Sequence, residues 1–259
     1  MSLNNQKNLL QAPTAKQKGL QNEAAILEFL LEEKYSTARV LTVLLGFADR
    51  SSILKVLKRM IDKRWIKSHQ FDRLTKLYGI TQSGIHEAQR HCDVIADWKY
   101  FEPSKVNPNT LLHQLMVQEV HALCGRLGLK FVTGKAIGSR ANQDKIPDGE
   151  IHFSDKVVAL EVERHIKSKR RYDAIVYNYL KLIKAGKYDS VLYVSDDDVM
   201  AQRVKKAITS LESITMTVNG RKQKLTLKPE VHFSYFDFVG LSELSLLMSQ
   251  TIKLPNSQK

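Results

Sequence analysis

Apolar residues recur at helical spacing in three successive stretches near the start of the chain. Ala24, Ile26, Leu27, Leu30 and Leu31 form one stripe, and Val40, Leu41, Val43 and Leu44 form a second. After Gly46, the run Asp49-Arg50-Ser51-Ser52 offers capping residues ahead of Ile53, Leu54, Val56, Leu57, Met60 and Ile61, which predicts a third helix. The pattern then changes to period two. Trp65 to Phe71 and Lys76 to Thr81 read as strands around the polar link Asp72-Arg73, and Ser83 to Arg90 reads as a short closing helix. Helices followed by a hairpin, over residues 21–95, is the order of a winged helix-turn-helix domain. Residues 1–20 are rich in Asn, Gln and Lys without apolar periodicity and read as a mobile tail.

Residues 96–109, with Pro103 and Pro108, read as a linker. Beyond it the expected elements alternate. A helix from Thr110 to about Leu127 precedes strands at Leu129–Thr133, Ile146–Phe153 and Val157–Glu163. A basic helix from Ser168 to Ala185, a strand at Ser190–Ser195, a helix at Val199–Leu211, a strand at Val231–Phe236 and a helix at Leu241–Ile252 complete residues 110–259. This is the order of a restriction-endonuclease-like PD-(D/E)xK core, an α/β domain with a mixed sheet.

Charge narrows the partners. With 40 Lys+Arg against 27 Asp+Glu the chain carries +13, and its pI is about 9.6, so it attracts polyanions. No apolar run approaches a bilayer span and no signal-peptide layout opens the chain, so no membrane insertion is expected. Cys92 and Cys124 make neither a disulfide framework nor a zinc site and suit a reducing cytoplasm. No phosphate-cradling G-x4-G-K-[ST] run occurs, so no nucleotide partner is expected. On the third helix and hairpin, Lys55, Lys58, Arg59, Lys63, Arg64, Lys67 and Arg73 are the candidate contacts to duplex DNA.

The candidate chemistry lies in carboxylates. Pro147-Asp148 opens one strand and Glu161-Val162-Glu163 closes the next, where period-two alternation puts Glu161 and Glu163 on one face. Asp148, Glu161 and Glu163 then converge as oxygen ligands for Mg²⁺ or Mn²⁺, which polarises a phosphodiester and activates water. Lys167 and Lys169 stand just beyond the strand as candidates to orient the nucleophile. From Arg164 to Lys187 eight Lys/Arg face one acid, Asp173, and Arg170 and Arg171 are placed to hold a DNA strand. Glu150 shares the strand face of Asp148. Tyr172, Tyr177 and Tyr179 read as a packing stripe, Asp196-Asp197-Asp198 as a helix cap, and none of the eight histidines forms an H-x-H pair.

His113-Gln-Leu115-Met-Val117-Gln-Glu119, Pro147-Asp148-Gly149 and Leu160-Glu161-Val162-Glu163-Arg164 resemble successive signatures of the replication-relaxation family. Within it they are closest in kind to the MOBC-type relaxases of mobilisable plasmids, and the similarity extends to about Tyr193. The resemblance implies a bacterial, cytoplasmic protein that nicks one strand at a plasmid origin of transfer, with accessory relaxosome or coupling proteins. It implies Asp148, Glu161 and Glu163 as metal and catalytic carboxylates and Glu119 as a support from the preceding helix. The chain departs from the family pattern at one point: the tyrosine falls on Tyr179, but the lysine expected four residues earlier falls on Ile175. Lys167 and Lys169 are its substitutes. The alternative expectation is a replication or regulatory protein that binds DNA through the winged helix and whose nuclease fold does not cut.

Overall fold

The computed structural model describes residues 14–90, 98–139, 145–218 and 221–253, and the chain divides into two compact units, Met1–Val106 and Asn107–Lys259. The first unit runs α1 (Ala15–Glu33), β1 (Tyr35–Thr37), α2 (Ala38–Leu45), α3 (Arg50–Asp62), β2 (Ile66–Gln70), β3 (Lys76–Ile80) and α4 (Gln82–Gln89). Local chemistry sets each boundary. Thr37 and Asp49 accept from backbone amides of Val40 and Ser52 at the starts of α2 and α3, and Gly46 ends α2 in the left-handed conformation. At the hairpin turn, Asp72 accepts from the amides of Leu74 and Thr75, each at 2.8 Å.

The stripes of α1, α2 and α3 meet in one core, where Ile26, Leu30, Leu41, Ile53 and Met60 are at most 1% exposed. β1 pairs antiparallel with β3, making the sheet order β1-β3-β2. A strand of three residues is too short to give a periodic signal.

Two expectations need correction here. Residues 15–20 of the expected tail are helical, because Thr14 and Gln17 cap each other's backbone amides and start α1 early; residues 1–13 lie outside the described residues. The expected linker is also partly built in. Phe101 is buried, its amide donates to the carbonyl of Ile80 at 2.8 Å, and its ring occupies the space that a Cβ on Gly79 would need. Prolines mark irregular backbone, but they do not say whether that backbone packs.

The second unit runs α5 (Pro108–Arg126), β4 (Lys130–Thr133), α6 (Gly134–Gly138), β5 (Gly149–Phe153), β6 (Lys156–Val162), α7 (Lys169–Lys184) and β7 (Ser190–Ser195). It continues through α8 (Asp198–Thr209), β8 (Ser213–Val218), β9 (Arg221–Thr226), α9 (Pro229–His232), β10 (Phe236–Gly240) and α10 (Leu241–Lys253). Its sheet is mixed, in the order β10-β7-β6-β5-β4, with β10, β7 and β6 parallel and the β6-β5 and β5-β4 pairs antiparallel. Ala159, Val191 and Tyr193 from the sheet pack with Tyr172, Val176 and Tyr179 of α7 and Val204 and Ile208 of α8. The expected strand at Val231–Phe236 is instead α9 and a turn of 3-10 helix, with the strand beginning at Phe236. Pro229 starts that helix, since its missing N–H costs nothing at a first helical position. The β8–β9 hairpin and α6 were not expected. Among the described residues no helix is long and apolar enough to cross a membrane.

Candidate active site

Backbone register brings the first pair of acids together. In the antiparallel β5–β6 pair Gly149 faces Leu160, so one residue further out Asp148 comes beside Glu161. Asp148 is held there by its amide, which donates to Leu160 O at 2.9 Å, and by its carboxylate, which accepts from the Val162 amide at 2.8 Å. Glu161 faces Tyr193 across the parallel β6–β7 ladder, and the Glu163 amide extends that ladder by donating to Val194 O.

Asp148 and Glu161 open into a cleft of about 410 Å³ whose polar walls are completed by His113, Lys145, Lys167 and Arg171. Lys145 Nζ lies 2.6 Å from Glu161, and the buried Tyr179 hydroxyl donates to the same carboxylate oxygen. Lys167 Nζ donates to Glu163, and the Lys167 amide donates to the Tyr172 hydroxyl at 3.3 Å. His113 Nε2 sits 3.2 Å from Asp148. Each acid therefore meets its own cationic or protonatable partner.

The electrostatics separate the two acids. Burial pushes the Glu161 carboxyl above its usual range; Lys145 opposes the shift and Asp148 adds to it. Burial acts on Asp148 in the same sense, but His113, the Val162 amide and Lys145 outweigh it and hold that carboxyl below its ordinary value. The hydrogen bond to Asp148 raises His113. Burial, reinforced by Glu161, drives the Tyr179 phenol far upward, and burial with both glutamates does the same to Tyr193. These phenols stay protonated at any ordinary pH, which suits hydrogen-bond donors and packing groups.

The other expected residues separate from this cleft. Glu163 is buried but joins only through Lys167, and it does not line the walls. Lys169 turns to Asp173 at 3.1 Å and to the Ser213 carbonyl, so of the expected lysines only Lys167 lines the cleft. Glu119 lies on α5 six residues after His113, about 120° away around a helix, and is half-buried outside the lining. Arg171 lines the cleft while Arg170 is exposed outside it. Glu150 is buried and accepts from the Tyr188 hydroxyl. Asp197 caps α8, Asp196 meets Arg164 and Asp198 accepts from the Gly240 amide. Burial pushes the Cys124 thiol up to about 12, as expected of a packed cysteine, and Cys92 lies outside the described residues.

Lys145 and His113 are the residues that the sequence did not single out for the site. Ile175, at the lysine position of the family pattern, lines the same cleft as Lys145. Only the strand register, which links residues 148 and 161, could have pointed to a lysine three residues before Asp148. Among the described residues no group of three or more His, Cys, Asp or Glu is placed to enclose a metal. Of the acids expected to hold a cation, Asp148 and Glu161 line the cleft, and carboxylate oxygens are the donor type that a hard divalent cation takes.

In the first unit, Lys55 and Lys58 are exposed on α3, with Lys58 3.7 Å from Asp62. Arg59 and Lys63 both bind the buried Glu23 of α1. Arg64 is exposed at a positive φ of 60°, Lys67 lies over the rings of Tyr100 and Phe101, and Arg73 is exposed on the turn that Asp72 organises. Compared with family models, curated proteins and solved structures, the chain matches none.

Proposed function

We propose that the chain is a divalent-metal DNA endonuclease of the relaxase kind, which binds an origin of transfer on plasmid DNA and nicks one strand. In this reading the first unit is a winged helix that holds duplex DNA, and the second is a restriction-endonuclease-like core. One observation carries it: Asp148 and Glu161 stand side by side in an open cleft that also presents Lys145, Lys167 and Arg171. Two acids placed side by side repel each other, and the cleft that they line has a volume that admits a phosphodiester.

Mg²⁺ or Mn²⁺ held by Asp148 and Glu161 would supply Lewis acidity toward the phosphate and a more acidic water. The chain does the rest. Arg171 and Arg170 attract the backbone of the strand, and Lys145 and Lys167 offer ammonium groups to the charge that develops on the phosphate. His113 holds a proton at Nε2 against Asp148, and Tyr179 fixes the orientation of Glu161. Accessory relaxosome or coupling proteins belong to the same proposal.

A second reading, a DNA-binding replication or regulatory protein that does not cut, has its own support. Lys145 and Lys167 already neutralise Glu161 and Glu163, so the acids are satisfied without a metal. Incubating the full chain with supercoiled plasmid carrying its transfer origin, with Mg²⁺ or Mn²⁺ and accessory proteins, decides between them. Conversion to open circles is expected; failure to nick in every condition sinks the endonuclease and leaves the binder.

A further inference from the structure

A groove of about 560 Å³ lies between α1 and α3 of the first unit. Lys16 and Lys18 of α1, with Lys55, Arg59 and Lys63, line it around a single carboxylate, that of Glu23. Glu23 is 3% exposed and accepts from Arg59 Nε at 3.1 Å and from Lys63 Nζ at 2.6 Å. Arg59 passes close to Gly19, 3.8 Å from where a Cβ would stand, so the α1 side of the groove leaves the guanidinium room.

The charge count decides what such a groove attracts. One acid cannot neutralise five cations, and it is buried beneath two of them. Lys16, Lys18 and Lys55 are exposed and form no ion pair among the described residues. Holding five like charges along one groove costs free energy that an incoming polyanion recovers, and the counterions it displaces add to the gain. A phosphodiester backbone presents charges in a row, as the groove does.

We propose that this groove is a phosphate track, so that α1, and not only α3 and the hairpin, contacts DNA through Lys16 and Lys18. The inference rests on reading the first unit as a DNA binder. Its test compares the full chain with the doubles Lys16→Ala/Lys18→Ala and Lys55→Ala/Lys58→Ala, by gel shift on a duplex of about 30 base pairs over a range of salt. All four lysines are exposed, so neither double endangers the fold. The α1 double should weaken binding roughly tenfold near physiological salt and flatten the log–log salt slope by about two. If only the α3 double weakens binding, α1 is not on the DNA and the proposal fails while the DNA-binding reading stands. If neither weakens it, both fall together. Acetylation of the wild type with and without duplex gives a second measurement: Lys16 and Lys18 should be shielded by DNA. Shielding by poly-glutamate alone would mean an acidic protein partner and would overturn the track.

Discussion

Each unit buries acids against cations, but the two arrangements are built to different ends. In the first, one carboxylate, Glu23, receives two cations whose side chains remain 49% and 38% exposed. Water reaches the cations and the acid is fully engaged, so the carboxylate's own charge is settled. In the second, Asp148 and Glu161 stand beside each other at a cleft, and Glu161 keeps a carboxyl that burial pushes upward in spite of Lys145. That arrangement spends stability on keeping carboxylates close together. The lesson is that a buried acid suggests chemistry when a second acid crowds it at the wall of a cleft, and suggests structure when its cations outnumber it.

Removing the acids tests that contrast most strongly. Asp148→Ala and Glu161→Ala should each abolish metal-dependent nicking and leave duplex affinity unchanged or tighter, while Glu23→Ala should leave the nicking rate of the bound complex intact. Plasmid relaxation beside gel shifts on the same preparations gives the answer, and nicking that survives both cleft substitutions would end the distinction between the two acid sites.

The next effect is on the fold of the first unit alone. Phe101→Ala should cost about 3–5 kcal/mol in urea denaturation, since it empties a buried aromatic site. Likewise a fragment of residues 14–106 should melt well above one of residues 21–99, which lacks both Phe101 and the capped start of α1. Equal melting temperatures would show that the post-helical segment adds nothing to the unit.

Lysine substitutions sharpen the cleft itself. Lys145→Ala and Lys167→Ala should each slow nicking by about a hundredfold, the scale for losing one donor to developing charge, whereas Lys169→Ala should stay within a few-fold of wild type. A larger loss at Lys169 than at Lys145 would move the ammonium role to the far side of α7.

The smallest effect is on stability and carries a sign. A carboxyl raised in the folded state binds its proton more tightly there, so its presence costs stability as pH rises above the unfolded value. Glu161→Gln should therefore be more stable than wild type near pH 8, with the gap closing toward pH 4.5. Asp148 has the opposite sign: its depressed carboxyl contributes stability above the unfolded value of 3.8, which is lost as pH falls through the folded one. Asp148→Asn should be the less stable protein at neutral pH, with that deficit vanishing in acid. Thermal melts across pH would refute the assignment if both variants shifted in the same direction.

Elements that bury one face announced themselves in the sequence. The apolar stripe of α3 and its Asp49 cap needed no tertiary knowledge, and neither did the short apolar run of β3 between turn residues, although that strand is buried on both faces. What the sequence hid was settled by contacts far along the chain. Ile214, Met216 and Val218 alternate as a strand should, yet the partner β9 is mostly Lys, Arg and Gln and gave no matching signal. Phe233 and Phe236 invited a strand one element too early, because the aromatic run spans the junction of a helix and a strand. In the candidate site Asp148 and Glu161 were legible as motif acids. Lys145 was not, because its place depends on where the chain before β5 returns to the sheet, and no local spacing encodes that.

The turn between β5 and β6 consists of Ser154, at a φ of 51°, and Asp155, with Phe153 paired to Lys156 on either side. Six strand positions away, that short turn decides whether Asp148 meets Glu161, since strand faces alternate with every residue. Insertions and deletions here are thus constrained by parity. A single extra residue absorbed by the ladder would send Glu161 to the opposite face, while one accommodated as a bulge at the turn would leave the acids paired. Lineages of this chain that keep two carboxylates should vary the length of this hairpin in steps of two per strand pair or at its tip, and odd slips should travel with loss of the second acid.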